Sequence, residues 1–379
     1  MSVKKIKAAI IGCGTISEIY MTNLTEMFHI VELVGCSDLI PERSARRAEQ
    51  FGLRQMTNKE ILSDPEIEIV VNLTFPQAHY EVTKAALLAG KHVYVEKMVA
   101  VTWEEGQELM LLAAEQKRVY TAAPDTFLGA IWQTARKAVD DGLIGELISI
   151  AMVKNSSYQL DGEMNNIGPD NFYFTLHPGG GLPFDFGGYY LHNMINLAGP
   201  ISRVSGFCKT VQPNRLYTNP RHPMYGEPFF VDTITSLAGV MEFENGVYGT
   251  MLITSDSSMS DVFMISGTEG TLMLPDPNFF DGSLILSRQG TDTKELPVLH
   301  GYRENSRGIG VADMAYAIRN QRRPRAHAAL GLHAFEVIHG IKKSCESNST
   351  YKMTSTCERP AILRTGSFGK TGQEIVLDH

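Results

Sequence analysis

The chain has 379 residues, more than one domain usually holds, so two domains are expected. Hydrophobic residues make up 43% and charged residues 20%, as in an ordinary soluble globular protein, and the net charge of −8 argues against nucleic acid or an anionic membrane as partner. No apolar run approaches the roughly 20 residues of a membrane span, no signal-peptide core follows Met1–Lys7, and five scattered cysteines (Cys13, Cys36, Cys208, Cys345 and Cys357) form no C-x-x-C pair, so the chain reads as reduced and cytoplasmic.

The first 124 residues alternate strand and helix. Strands are expected at Ile6–Ile11, Val31–Ser37, Ile67–Thr74, His92–Glu96 and Val119–Ala122. Helices are expected at Ile16–Phe28, Pro41–Phe51, Asn58–Leu62, Ala78–Ala89 and Trp103–Gln116, the last opened by a capping box of Thr102 and Glu105. Strands and helices alternating through short links make a doubly wound parallel sheet, an α/β Rossmann architecture. A second region, 125–310, carries a helix at Leu128–Asp141, a strand at Glu146–Lys154 and a helix at Gly188–Leu197. Strand-like runs follow at Val204–Val211, Thr233–Phe243, Gly246–Thr254, Val262–Leu274 and Ser283–Ser287, with a hairpin turn at Asn245-Gly246. This reads as an α+β domain with a large, mostly antiparallel open sheet. The remainder, 311–379, holds two helices, Val311–Asn320 and Leu330–Ser347, expected to pack back near the domain junction, and an irregular C-terminus.

The turn Gly12-Cys13-Gly14-Thr15-Ile16-Ser17 lies between the first strand and the first helix, and Asp38 ends the second strand. That context suits a dinucleotide. Gly12 permits the tight turn, Gly14 lets the backbone approach a pyrophosphate, and the helix N-terminus beginning at Thr15 and Ile16 favours the anion. Ser17 is small enough to replace a third glycine. Asp38 would accept hydrogen bonds from a ribose diol and repel a 2′-phosphate, so NAD is expected rather than NADP. At the end of the fourth strand, Glu96 and Lys97 should stand at the mouth of the nicotinamide pocket, where desolvation and the nearby positive ring would lower the lysine pKa and suit it to accept a proton.

Asp185, Tyr189 and His192 are spaced four and three apart, which puts them on one face of a helix that starts near Asp185. The same spacing fits an ordinary helix with its tyrosine in the core. Asp125, at the end of the fifth strand, is placed either over the cofactor or substrate or as the cap of the next helix. The long polar stretch 155–184 carries Tyr158, Gln159, Asp161, Glu163, Tyr173 and His177, residue types that suit a polyhydroxyl ligand and equally a solvated loop or a subunit contact. The eleven histidines show no metal-ligand frame, and no metal is expected.

These motifs, together with Thr74-Phe75-Pro76 and His79, Ala89-Gly90-Lys91-His92-Val93 and the triplet Gly179-Gly180-Gly181 before Asp185 and Gly187, resemble the glucose–fructose oxidoreductase, inositol dehydrogenase and MocA family over nearly the whole chain. The resemblance implies a two-domain oxidoreductase in which Lys97 is catalytic and Glu96 contacts the nicotinamide ribose. It also implies that Thr74, Pro76, His79 and Asp125 join Gly12, Gly14, Thr15, Ile16 and Asp38 around the cofactor. Tyr189 matches the branch of the family with a tyrosine there and would pass a proton. Asp185, Asp125, Phe127, Tyr158, Tyr173 and His192 would meet the substrate. One departure is Met98, where the family usually carries proline, and the loop bearing Lys97 is expected to take a different path. The implied activity is NAD-dependent oxidation of a secondary hydroxyl of a sugar, a glycoside at C3 of its ring, or a cyclic polyol. The alternatives are a glycosidase that uses NAD without net redox and a non-catalytic dinucleotide-binding regulator. Family members often pair through their sheet faces, so a homo-oligomer is expected.

Overall fold

The computed structural model describes residues 4–156, 176–218, 220, 223–255, 257 and 260–366. The N-terminal part is built as β1 (Ile6–Ile11), α1 (Ser17–Glu26), β2 (Val31–Ser37), α2 (Pro41–Phe51), β3 (Arg54–Gln55), α3 (Asn58–Ser63), β4 (Ile69–Asn72), α4 (Pro76–Leu88), β5 (His92–Val95), α5 (Trp103–Glu115) and β6 (Tyr120–Ala122). Its strands pair in parallel in the order β3-β2-β1-β4-β5-β6. The central strands are mostly apolar, as strands covered on both faces must be, with Lys7, Asn72 and His92 at or near their ends; Ile69, Val70, Val71 and Val93 are wholly buried. Capping boxes start α3 at Thr57 with Glu60 and α5 at Thr102 with Glu105. The strand order reverses between β1 and β4, which opens a crevice at their carboxyl ends.

The second part comprises α6 (Ala130–Asp140), β7 (Leu147–Asn155), a short α7 (Leu182–Asp185), α8 (Gly187–Ala198) and β8 (Ile201–Lys209), followed by β9 (Asn214–Leu216) and β10 (Pro228–Phe230). Then come β11 (Ser236–Phe243), β12 (Tyr248–Thr254), β13 (Val262–Gly267), β14 (Gly270–Met273), β15 (Ile285–Ser287) and β16 (Lys294–Glu295). The chain closes with α9 (Ile309–Arg319), α10 (Ala328–Ser347) and β17 (Tyr351–Lys352). Nine strands form one sheet, β16-β15-β14-β13-β7-β12-β11-β8-β17, antiparallel except where β7 meets β12.

Three expectations change. The run Val262–Leu274 is a hairpin and not one strand, because the chain turns at Thr268-Glu269 between Gly267 and Gly270. Helix α6 starts at Ala130, after a 3₁₀ turn over Thr126–Leu128. The C-terminal segment adds β17 to the edge of β8, where both residues pair with the sheet. The hairpin turn at Asn245-Gly246 forms as read, with Gly246 at φ +85°.

Helix α10 lies on one face of the large sheet, where Gly206 and Gly239 leave room for Ile341; a Cβ at Gly239 would stand 2.5 Å from that side chain. The same helix reaches the first sheet through its start, where Ala122 N–H donates to the Ala326 carbonyl at 3.0 Å. Among the described residues, the opposite face of the large sheet leaves the side chains of Phe207, Val240 and Tyr248 exposed.

Candidate active site

The turn after β1 has the shape a dinucleotide needs. Gly12 has φ +103°, and a Cβ there would meet the Leu73 carbonyl carbon at 2.6 Å, so β1 and β4 approach closely only through glycine. Among the described residues nothing stands within 4 Å of where a Cβ of Gly14 would be, which leaves that backbone open to a ligand. The Ser17 hydroxyl donates to the Gly14 carbonyl at 2.6 Å and takes the third-glycine position without a clash. No side chain caps the start of α1. Asp38 does more than wait for a ribose: its Oδ2 accepts from Cys13 N–H at 2.6 Å and its Oδ1 from Ile40 N–H at 2.8 Å. Each oxygen keeps a second lone pair for a ligand hydroxyl.

Below this turn lies a cleft of about 290 Å³. Its walls come from the turn (Gly14, Thr15, Ile16), the segment after β4 (Thr74, Phe75, Pro76), the segment after β5 (Glu96, Lys97, Met98) and the second domain (Gly179, Phe184, Asp185, Tyr189). Glu96 is held on both oxygens. Tyr20 Oη donates to Oε1 at 2.7 Å, and Lys97 N–H donates to Oε2 at 3.0 Å. The Lys97–Met98 peptide bond is cis. The Met98 carbonyl stands 2.6 Å from Nδ1 of His79, whose Nε2 stands 2.9 Å from the Thr74 carbonyl.

Lys97 reaches across the cleft from one domain to the other. Its Nζ pairs with the Asp185 carboxylate, donates to the Asp185 carbonyl at 3.0 Å and lies 4.8 Å from the centre of the Tyr189 ring. Burial is the largest influence on this ammonium and pushes its pKa down; Asp185, Tyr189 and Glu96 together outweigh it, and the net shift is upward. The sequence expectation of a lowered pKa is therefore overturned for the free enzyme, because the carboxylate partner comes from 88 residues away. Tyr189 in turn meets Arg307, whose Nη2 donates to its hydroxyl at 3.4 Å.

Four expected contacts lie elsewhere. Asp125 is 1% exposed, and its Oδ2 accepts from Gly308 N–H at 2.9 Å and Gly310 N–H at 3.0 Å. It anchors the start of α9 and neither faces the cleft nor caps the following helix. Phe127 is wholly buried, its ring 6.2 Å from that of His192. His192 is 2% exposed, and its Nδ1 is 2.7 Å from the Gly188 carbonyl. The three residues do not share one helix as expected: Asp185 ends α7, whereas Tyr189 and His192 belong to α8, and His192, about 4.5 Å further along the axis than Tyr189, lies inside the core. His79 is also buried and ties the two cleft loops together from behind. Tyr158 and Tyr173 lie outside the described residues. His177 is paired with Asp232. Among the described residues no three His, Cys, Asp or Glu come together as metal ligands. Sequence reasoning missed Phe184 and Arg307. Nothing in the motif Ser306-Arg307-Gly308 marks the arginine, whose contact with Tyr189 exists only in the folded chain.

Residues 6–123 match the family described as an oxidoreductase family with an NAD-binding Rossmann fold, and residues 132–273 match the GFO/IDH/MocA C-terminal domain. The chain belongs to the GFO/IDH/MocA family. Its N-terminal domain is thus an NAD-binding Rossmann domain. Among GFO/IDH/MocA relatives, the chain is 29% identical over 146 residues to an inositol 2-dehydrogenase/D-chiro-inositol 3-dehydrogenase of Lactiplantibacillus plantarum, over 37% of this chain and 41% of that one. It is 25% identical to the levoglucosan dehydrogenase of Pseudarthrobacter phenanthrenivorans over 62% of each. The aligned segments therefore span about half the length of such relatives. A solved levoglucosan dehydrogenase in complex with NADH shares the fold at a TM-score of 0.78 and 21% identity, over 93% of this chain and 100% of that one. An aldose-aldose oxidoreductase from Caulobacter crescentus follows at 0.75 and 20%, over 92% and 100%. Among the described residues no helix is long and apolar enough to cross a membrane.

Proposed function

We propose that this chain is an NAD-dependent dehydrogenase that oxidises a secondary hydroxyl of a sugar, a glycoside or a cyclic polyol. The observation that carries the reading is the Lys97–Asp185 pair, contributed by two domains and set against the dinucleotide cleft. The names of the inositol and levoglucosan dehydrogenases among its relatives support the substrate class. Bound NAD supplies the hydride acceptor; Gly14, Thr15, Asp38, Thr74, Pro76 and Glu96 would hold it.

In the free enzyme Lys97 is an ammonium and cannot accept a proton. A substrate hydroxyl adjacent to the reacting one donates to Asp185 and draws its carboxylate off the ammonium. Burial then dominates, and Lys97 releases its proton to solvent. The neutral amine takes the carbinol proton as the hydride leaves carbon. Tyr189 hydrogen-bonds the same oxygen and holds it in line. This order of events requires a hydroxyl beside the reacting carbon. C3 of a glycoside's sugar ring, flanked by hydroxyls on both sides, meets that need and is the preferred reaction. A second copy of the chain, packed on the exposed sheet face of Phe207, Val240 and Tyr248, is the proposed oligomer.

The test is NADH absorbance at 340 nm with NAD and a panel of sugars, glycosides and polyols. Growth with at least one of them is expected, and Lys97→Met should cut turnover about 100-fold, within the range general-base loss spans, with NAD affinity within a few-fold. Silence across the panel overturns the reading. Glycoside cleavage without net NADH would replace it with the hydrolase.

A further inference from the structure

Arg307 stands outside the cleft lining, yet it is the one cation within hydrogen-bond reach of the Tyr189 hydroxyl among the described residues, at 3.4 Å from Nη2. The guanidinium is fixed from behind. The two hydrogens of Nη2 face three acceptors, the Asn278 carbonyl at 3.0 Å, Asn278 Oδ1 at 2.5 Å and the phenol, so the Tyr189 contact shares a hydrogen with Asn278, and Nη1 donates to Asn305 Oδ1 at 2.7 Å. The backbone that carries it is strapped to the cofactor domain at two points. Asn23 of α1 donates to the carbonyls of Asn305 at 2.7 Å and Arg307 at 2.8 Å. Asp125, just beyond β6, accepts from Gly308 and Gly310 N–H. A segment anchored on the NAD-binding domain thus delivers one side chain to a tyrosine of the other domain.

The polarity of that contact has a single solution. A guanidinium carries donors and no acceptor, so Arg307 donates and the phenol oxygen accepts. The phenol's own hydrogen must then point away from Arg307. Tyr189 lines the cleft, so that hydrogen is offered to whatever occupies it. Negative charge that gathers on the oxygen as this hydrogen is shared would face the guanidinium. The distance is long for a resting hydrogen bond, and catalytic contacts of this kind commonly tighten when the ligand binds.

We propose that Arg307 is a positioning residue that sets the direction of the Tyr189 hydroxyl for the substrate oxygen. The proposal rests on the reading above, in which Tyr189 acts on that oxygen. The test is a cycle of Arg307→Ala, Tyr189→Phe and the double variant, with Arg307→Lys as the conservative change, read as kcat and KM on the best substrate with melting temperature alongside. Arg307→Ala should lower kcat about tenfold, as loss of one charge-assisted hydrogen bond does, with KM within about twofold. Arg307→Lys should recover part of the loss. In the Tyr189→Phe background, Arg307→Ala should cost nothing further in rate. If Arg307→Ala costs the same factor in both backgrounds, or nothing in the wild type, Arg307 does not act through Tyr189 and the proposal is overturned. If Tyr189→Phe itself leaves kcat unchanged, the role of Tyr189 fails first. A wild-type chain silent on the whole panel overturns the functional reading and this proposal together.

Discussion

Replacing Asp185 by asparagine separates the charge of Lys97 from its burial. In the wild type the carboxylate is the leading influence that holds Lys97 above its usual value of 10.5, against a larger opposing push from burial. The pair is poorly screened, with side-chain exposures of 15% for Lys97 and 20% for Asp185. An opposite charge in direct contact moves a pKa by about 1–3 pH units. Asparagine removes that charge while keeping an oxygen that accepts the Lys97 N–H, and Tyr189 and Glu96 remain among the influences that raise it. The pKa of Lys97 in the free enzyme should therefore fall by at least about one pH unit. Because kcat/KM reports ionisations of the free enzyme, the wild type should gain about tenfold per pH unit through the alkaline range, with no plateau below pH 10. In Asp185→Asn the plateau should arrive at lower pH, even though its absolute height falls with the lost substrate contact. The assay is the initial rate of NADH formation at low substrate from about pH 6 to 10.5 in constant ionic strength buffers. An acid limb that stays in place, or moves to higher pH, would refute Lys97 as the titrating group and with it the release of its proton by capture of Asp185.

Asp38→Ser with Leu39→Arg should narrow the preference for NADH over NADPH by at least about tenfold in a fluorescence titration. It should also weaken NADH itself, because the carboxylate holds Cys13 N–H at 2.6 Å and with it the glycine turn. A wild-type protein that binds the two dinucleotides equally would remove the discriminating role of Asp38. Burial raises the pKa of Asp125 from 3.8 to about 6, so the folded chain holds its proton more tightly than the unfolded chain and this group's contribution to stability declines as pH rises from about 4 to 6. Asp125→Asn, which still offers Gly308 and Gly310 an acceptor oxygen, should gain a few degrees in melting temperature relative to the wild type between those pH values; a difference that is flat with pH would show that Asp125 does not titrate there.

Much of the fold was legible because its rules are local. The parallel sheet announced itself through apolar runs such as Ile6–Ile11 separated by amphipathic helices, and α2 was bounded by Pro41 and Gly52, which start and stop a helix by backbone geometry alone. The hairpin at Thr268-Glu269 had a local signal that the reading of one long strand passed over: Ser266–Thr271 holds two glycines and no large apolar side chain, and the pairing of β13 with β14 shows that the chain reverses there. The short strands β16 and β17 were invisible, since two residues carry no period.

The same division runs through the site. The sequence alone determined the glycine turn, the acid at the end of β2 and the position of Lys97 at a strand end, because each depends on a few neighbouring residues and the direction of one strand. Whether Lys97 is charged, which way Asp125 faces, how deep His192 lies and what holds Tyr189 were decided only by tertiary structure. Helix α8 is buried along all twelve of its residues, so its sequence carries no polar side to mark the cleft. The charges that set Lys97 come from chain segments far apart in sequence, and electrostatic influence falls with distance in space, which only the folded chain defines.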